Sequence, residues 1–180
     1  MRNGDQVEIV TSTAQTPSPA CETFVVDQLD SQFELAGAPF AGKQVKATLK
    51  GALTADQKAE SLNLDQVAIT FANLKLETGL SIEQYASTPK ITGKLAIAEF
   101  SLRELLSQLG QAVPPTSDPS VLKKLSFSAD IGGEPGRIDL SNVKMGLDDS
   151  TLSGKINYTL ESGALFARLN LDKINADRYL

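Results

Sequence analysis

The chain has 180 residues, enough for one domain or two small lobes, and its 41% apolar residues and 13 glycines are an ordinary globular composition that excludes intrinsic disorder. Its 17 basic and 22 acidic side chains give a net charge of −5, so the diffuse positive field that draws proteins to phosphate backbones is missing and a nucleic-acid partner is excluded. Histidine is absent and there is one cysteine, which excludes Ser/His/Asp and Cys/His nucleophile systems, His-bearing zinc sites and intrachain disulfides.

In chain order, Met1-Arg2-Asn3-Gly4-Asp5 leads into no signal-peptide apolar region, and no apolar run approaches the ~18–20 residues of a membrane span, so a soluble chain is expected. Val7/Ile9 is the first alternating pair. Ala20-Cys21 mimics the end of a lipoprotein signal, but the preceding Thr16-Pro17-Ser18-Pro19 is polar and broken by proline. Period-two patterning then dominates: Phe24/Val26, Phe33/Leu35, Val45 to Lys50, Val67 to Phe71, Leu74/Leu76 and Ile91/Leu95/Ile97 place apolar side chains on one face and polar ones on the other. These are half-buried antiparallel strands. A helix is expected over about 101–110, where Ser101-Leu102-Arg103-Glu104 is a capping box, Phe100 a staple residue, Leu102, Leu105, Leu106 and Leu109 an apolar stripe, and Gly110 the stop. This helix should cover the sheet.

Gln111 to Thr116, with Pro114-Pro115, reads as a linker, so the expected division is a β-rich lobe over 1–110, a linker over 111–117 and a β-meander lobe over 118–180. A second short helix is expected over about 118–124, with Asp118 as N-cap and Pro119 at the first helical position. Phe127/Ala129/Ile131, Ile138/Leu140, Val143/Met145/Leu147, Leu152 to Leu160 and Leu165/Ala167/Leu169/Leu171 resume the alternation, giving roughly ten short strands with turn residues between them. Asn175 opens a helix start that has no room to continue, the pattern of a segment cut from a longer protein. The expected fold is mainly β: an antiparallel meander curling into a groove or half-barrel, with one or two short covering helices. Ile91 to Leu106 also lies without gaps over Leu165 to Leu180 in a shared order of strand, cap and helix, a weak sign of internal duplication.

Little here carries covalent chemistry. Asp148-Asp149-Ser150 is the one tight carboxylate pair, open to calcium binding or acid/base work, but these are also turn residues and no EF-hand spacing surrounds them. Gly132-Gly133-Glu134-Pro135-Gly136 lacks the following helix that a phosphate loop needs and reads as a hairpin connection. Lys43, Lys46, Lys50 and Lys58, and Lys123-Lys124, suit anionic headgroups or, more plainly, the outer face of a soluble sheet. No enzyme activity, metal or cofactor is expected. The collective feature is an aliphatic face, with Val45, Leu49, Ile69, Phe71, Leu95, Ile97, Ile156, Tyr158, Leu169 and Leu171 as candidate acyl-chain contacts; the same residues suit an ordinary closed core.

Three blocks carry a family resemblance: Phe100 to Gly110 with the following Pro115-Thr116 and Asp118, Leu147 to Gly154, and Leu171 to Leu180. In order and spacing they resemble the AsmA family of bacterial envelope proteins, over about residues 91–180. The resemblance implies a Gram-negative periplasmic protein, held at the inner membrane by an N-terminal anchor that this chain lacks, and related to bridge-like lipid transfer proteins with a long β-groove. It implies phospholipid or another acyl lipid as ligand, a part in supplying lipid to the outer membrane, and outer-membrane protein assembly factors as partners. An alternative of a different class is an envelope scaffold that binds outer-membrane protein clients through an exposed strand edge.

Overall fold

A computed structural model of the chain describes residues 22–37 and 40–180. The expected strand around Val7/Ile9 and the Cys21 signal fall outside the described residues. The chain forms β1 (Thr23–Leu35), β2 (Val45–Asp56), β3 (Ser61–Phe71), β4 (Leu74–Glu83), β5 (Lys90–Phe100), α1 (Leu102–Gln108), β6 (Leu125–Glu134), β7 (Arg137–Leu147), β8 (Ser150–Thr159), β9 (Ala164–Leu171) and a 3-10 turn (Ala176–Arg178). The nine strands lie in sequence order in one antiparallel sheet, and β1 and β9 are its two outer strands, so the sheet is not closed into a barrel. Among the described residues, consecutive strands are the elements that lie closest together. β5 and β6 pair directly, so the sheet runs unbroken across the 111–117 segment.

Nine strands form among the described residues, and they are longer than the short segments expected. Phe24/Val26 and Phe33/Leu35 belong to one strand, β1, whose register shifts between Val26 and Leu29. β3 begins at Ser61, ahead of the alternation read from Val67, because a bulge between Leu64 and Val67 inserts residues that break the period, with Gln66 in the left-handed region at φ 49°. Asn142 does the same in β7 between Leu140 and Val143. These irregularities keep the faces in phase: before and after each bulge the apolar residues point to the same side.

α1 forms as its sequence dictates. Ser101 Oγ accepts from the Glu104 amide at 3.2 Å. At the other end Gly110, with φ 71°, lets its own amide reach the Ser107 carbonyl and the Gln111 amide reach that of Leu106, a Schellman closure. The helix follows β5 at one end of the sheet, with its leucine stripe half-buried. None of its residues is buried, and its ties run to end loops: Asn73 Nδ2 donates to the Ser101 carbonyl at 2.9 Å and Lys43 Nζ to that of Ser107 at 2.6 Å.

The helix expected over 118–124 does not form. Asp118 does use its side chain on a nearby amide, accepting from Ser120 N at 2.7 Å, but this is a local turn and not a helix cap. Leu122 then takes φ 62°, and the amides of Leu122, Lys123 and Lys124, which a helix would turn inward, donate to the Asp148 carboxylate from the β7–β8 turn. A tertiary acceptor wins over the helix signal.

Gly93 marks a close strand approach. A Cβ there would lie 2.3 Å from the Gly79 carbonyl oxygen and 2.6 Å from Leu80 Cδ2, so the neighbouring Leu80 occupies the space a side chain would take. Gly93→Ala is expected to destabilise the chain by about 1–3 kcal/mol through overpacking against backbone. A urea melt unchanged from the parent would contradict that packing.

Candidate functional site

The registers of all eight strand pairs assemble the apolar residues into rows that cross the sheet. One row runs Leu49, Ile69, Leu76, Ile97, Phe127, Met145, Leu152, Leu171 from β2 to β9, and Ser31 of β1 is the one polar member. A second runs Val26, Leu53, Leu64, Leu80, Gly93, Ile131, Leu140, Ile156, Ala167 on the same face. The opposite face carries Asp30, Lys50, Ala68, Glu77, Ala96, Ser128, Lys144, Ser153 and Asn170 in the matching row. Each strand is thus split cleanly by its pleat, and the split is coherent over nine strands.

All ten residues singled out in the sequence lie on the apolar face. Val45 is buried at 5% exposure, Leu49, Ile69, Phe71, Leu95, Ile97, Ile156 and Tyr158 are half-buried, and Leu169 and Leu171 are exposed at 43% and 45%. The structure adds Leu53, Leu64, Leu80 and Ile82: Leu64 lies beyond the bulge in β3, and the other three lie past Gly51 in β2 and Thr78 in β4, where the apolar alternation lapses. Among the described residues only Val45, Val121, Ala129 and Val143 are buried apolar side chains. Most of the apolar face is thus half-buried, and its most exposed members lie on β9. A hollow of about 620 Å³ arises where the small Ala68, Gly79 and Ala96 lie on the other face, beside Glu77 and Lys94.

One end of the sheet is covered by α1, the loops on either side of it and the C-terminal residues. Ser117 and Asp118 amides donate to the carbonyls of Leu180 and Arg178, and the Ser117 hydroxyl to that of Asp177. Arg178 ties three segments: its Nε meets Asp118 and its Nη1 meets Asp149, each at 2.8 Å. Tyr179 donates its hydroxyl to Asp148 at 2.8 Å. Asn175 occupies the expected cap position, but the element it opens is a 3-10 turn and its side chain makes no capping bond.

The electrostatics of this cluster follow from those bonds. The Ser120 hydroxyl and amide, with Arg178, hold the Asp118 carboxyl far below the usual range. Burial pushes Asp148 upward, but the Leu122 amide, the Tyr179 hydroxyl and the Lys123 and Lys124 amides outweigh it and leave the carboxyl lowered. Asp172 is lowered chiefly by the Thr151 amide. Asp118 raises Arg178, with help from Asp149; burial, then the Asp148 carboxylate, raises Tyr179. Asp148 and Asp149 thus face different partners, one a row of amides and the other a guanidinium, which is the arrangement of a structural anchor. Among the described residues no group of three or more acidic or cysteine side chains is gathered to hold a metal ion. Pro135-Gly136 forms the expected hairpin turn, with Glu134 opposite Arg137. Lys46 and Lys50 pair with Glu34 and Asp30 on the polar face.

Comparison with protein-family models, with curated proteins and with solved structures yields no match for the chain.

The lowered carboxyls fix the sign of a pH effect. A carboxyl whose folded pKa lies below its unfolded value stabilises the fold above the unfolded value, near pH 4, and loses that contribution as pH falls through the folded value. The covered end should therefore hold from pH 7 to about pH 5 and loosen below about pH 4. Amide exchange at Leu122, Lys123 and Lys124 should lose protection over that range in the parent. Asp148→Ala, which orphans three amides and a phenol, is expected to cost about 1–3 kcal/mol at pH 7 and to flatten the acid limb of the melting curve; an acid limb of unchanged steepness in that variant would contradict the assignment.

Proposed function

We propose that the chain is a non-enzymatic lipid-binding segment, related to AsmA-like lipid transfer proteins, that carries acyl lipid along its apolar face in the bacterial envelope. The observation that supports this reading is the apolar face itself, continuous from β1 to β9 in a sheet that is not closed into a barrel. Eight spacings of ~4.8 Å make the sheet about 38 Å wide, and strands of ten or so residues make it about 33 Å long. Contiguous apolar surface of that extent is far beyond what a soluble monomer ordinarily leaves in water. An acyl chain spans about half of a ~30 Å bilayer core, so several fit side by side, each buried CH₂ contributing up to about 0.8 kcal/mol.

The mechanism is hydrophobic burial. Acyl chains lie across Leu49, Ile69, Ile97 and their row neighbours, while polar headgroups stay at the rim. Half-exposed side chains suit a ligand that moves, because no residue closes over it. Phospholipid is the ligand proposed, the periplasm the compartment, and the inner membrane the place of attachment in the whole protein. Among the described residues no helix is long and apolar enough to cross a membrane.

Ile97→Glu and Leu169→Glu test the reading. Each places a carboxylate in an apolar row at a site that is at least partly open, so the fold should survive while the lipid path is interrupted. Extraction of fluorescent phosphatidylethanolamine from vesicles by the purified chain is expected to fall at least about tenfold in either variant, with melting temperature shifted by a few degrees. Unchanged extraction with retained folding would refute the proposal, as would global unfolding of both variants, which marks a closed core.

A further inference from the structure

The two outer strands of the sheet are unlike. β1 has the devices by which natural edges avoid pairing: Asp27, Asp30 and Glu34 along its length, and a register shift between Val26 and Leu29. β9 has no such protection. It pairs with β8 over its whole length without a register shift, and all eight of its residues are exposed. Leu165 and Phe166 are 67% and 58% exposed, and Arg168 is the one charge in the strand.

Arg168 is also an unmet charge. It stands directly opposite Lys155, a like-charge pair that a sheet does not favour. Lys155 has the Asp139 carboxylate within electrostatic reach. Among the described residues no ion pair holds Arg168. A carboxylate on the far side of β9 would complete the polar row that the sheet leaves unfinished.

We infer that the outer edge of β9 docks an extended segment of another protein, which adds as a tenth strand with apolar residues at alternate positions and an Asp or Glu opposite Arg168. Backbone bonds to the unpaired side of β9 supply affinity. The alternate apolar residues prolong the rows that end at Leu165, Ala167, Leu169 and Leu171, and the carboxylate fixes register, since a slip of one residue puts it on the apolar face. Charge decides against a second copy of this strand as occupant. Two antiparallel β9 strands matched at Arg168 set the two guanidiniums directly opposite each other with no carboxylate in either strand. The inference stands on the edge and does not depend on lipid binding.

The test uses fluorescein-labelled eight-residue peptides that alternate Leu or Val with Thr and carry Glu or Lys at one central polar position, measured by anisotropy against the purified chain. The Glu peptide is expected to bind at least about tenfold more tightly than the Lys peptide, the worth of one charge-assisted contact. Arg168→Glu should reverse that preference, and Arg168→Gln, a neutral change at an exposed position, should abolish it. Saturating phospholipid should leave the Glu-peptide affinity unchanged. Equal binding of both peptides, indifferent to Arg168→Glu, overturns the inference and places the peptide on the apolar face. A chain that sediments as a dimer, and as a monomer once Arg168 is Glu, overturns it also by giving the edge to a second copy.

Discussion

Phase across the bulges is the constraint on which everything else in this molecule rests. A strand alternates its side chains with a period of two, so one inserted residue reverses every face beyond it. Register shifts occur in six of the eight strand pairs, between Val26/Leu29, Lys50/Ala52, Leu64/Val67, Ile97/Phe100, Ser128/Asp130 and Leu140/Val143. At each the sequence itself skips in step: Leu64 is followed by Val67 and Leu140 by Val143, so the apolar side stays apolar. Nine strands so aligned produce one sheet with two chemically distinct faces, one of them apolar from β1 to β9.

The ends of the sheet differ as its faces do. Because the meander alternates direction, the β1–β2, β3–β4, β5–β6 and β7–β8 connections and the residues after β9 gather at one end, where α1 stands and where Asp118, Asp148, Asp149, Arg178 and Tyr179 bind the loops together. The other end holds the short connections at 57–60, 84–89, 135–136 and 160–163. If acyl chains occupy the apolar face, the held end fixes one limit of their path by interactions that are polar, local and strengthened by ionisation. The apolar face and the anchored end therefore answer to different physics, the first insensitive to pH and the second dependent on ionised carboxylates.

Much of this was legible in the residues. The pleat was readable from Val45 to Lys50 and from Leu152 to Leu160, since polar and apolar residues alternate there without a break. α1 was readable to within two residues because Ser101, Glu104 and Gly110 each act within a single turn. The reading weakened where a long-range partner decided the outcome. Nothing near Leu122 announces that its amide will bind Asp148, 26 residues away, so the local signal of Asp118-Pro119 was followed to a helix that does not form. Leu64 was missed because the bulge in β3 hides period two from a short window, and Leu53 and Leu80 because Gly51 and Thr78 interrupt the apolar alternation before them. The ten candidate residues came out on one face because the pleat, a local property, was enough to choose them; whether another layer covered that face was a property of the whole sheet and not of any segment.

Native mass spectrometry of the chain purified without detergent, followed by organic extraction and identification of what is released, weighs the lipid-covered face against a bare one. The account predicts phospholipid retained at a defined ratio and released on unfolding. A lipid-free mass on a stable, folded monomer would contradict it, because the apolar face would then persist in water with nothing upon it.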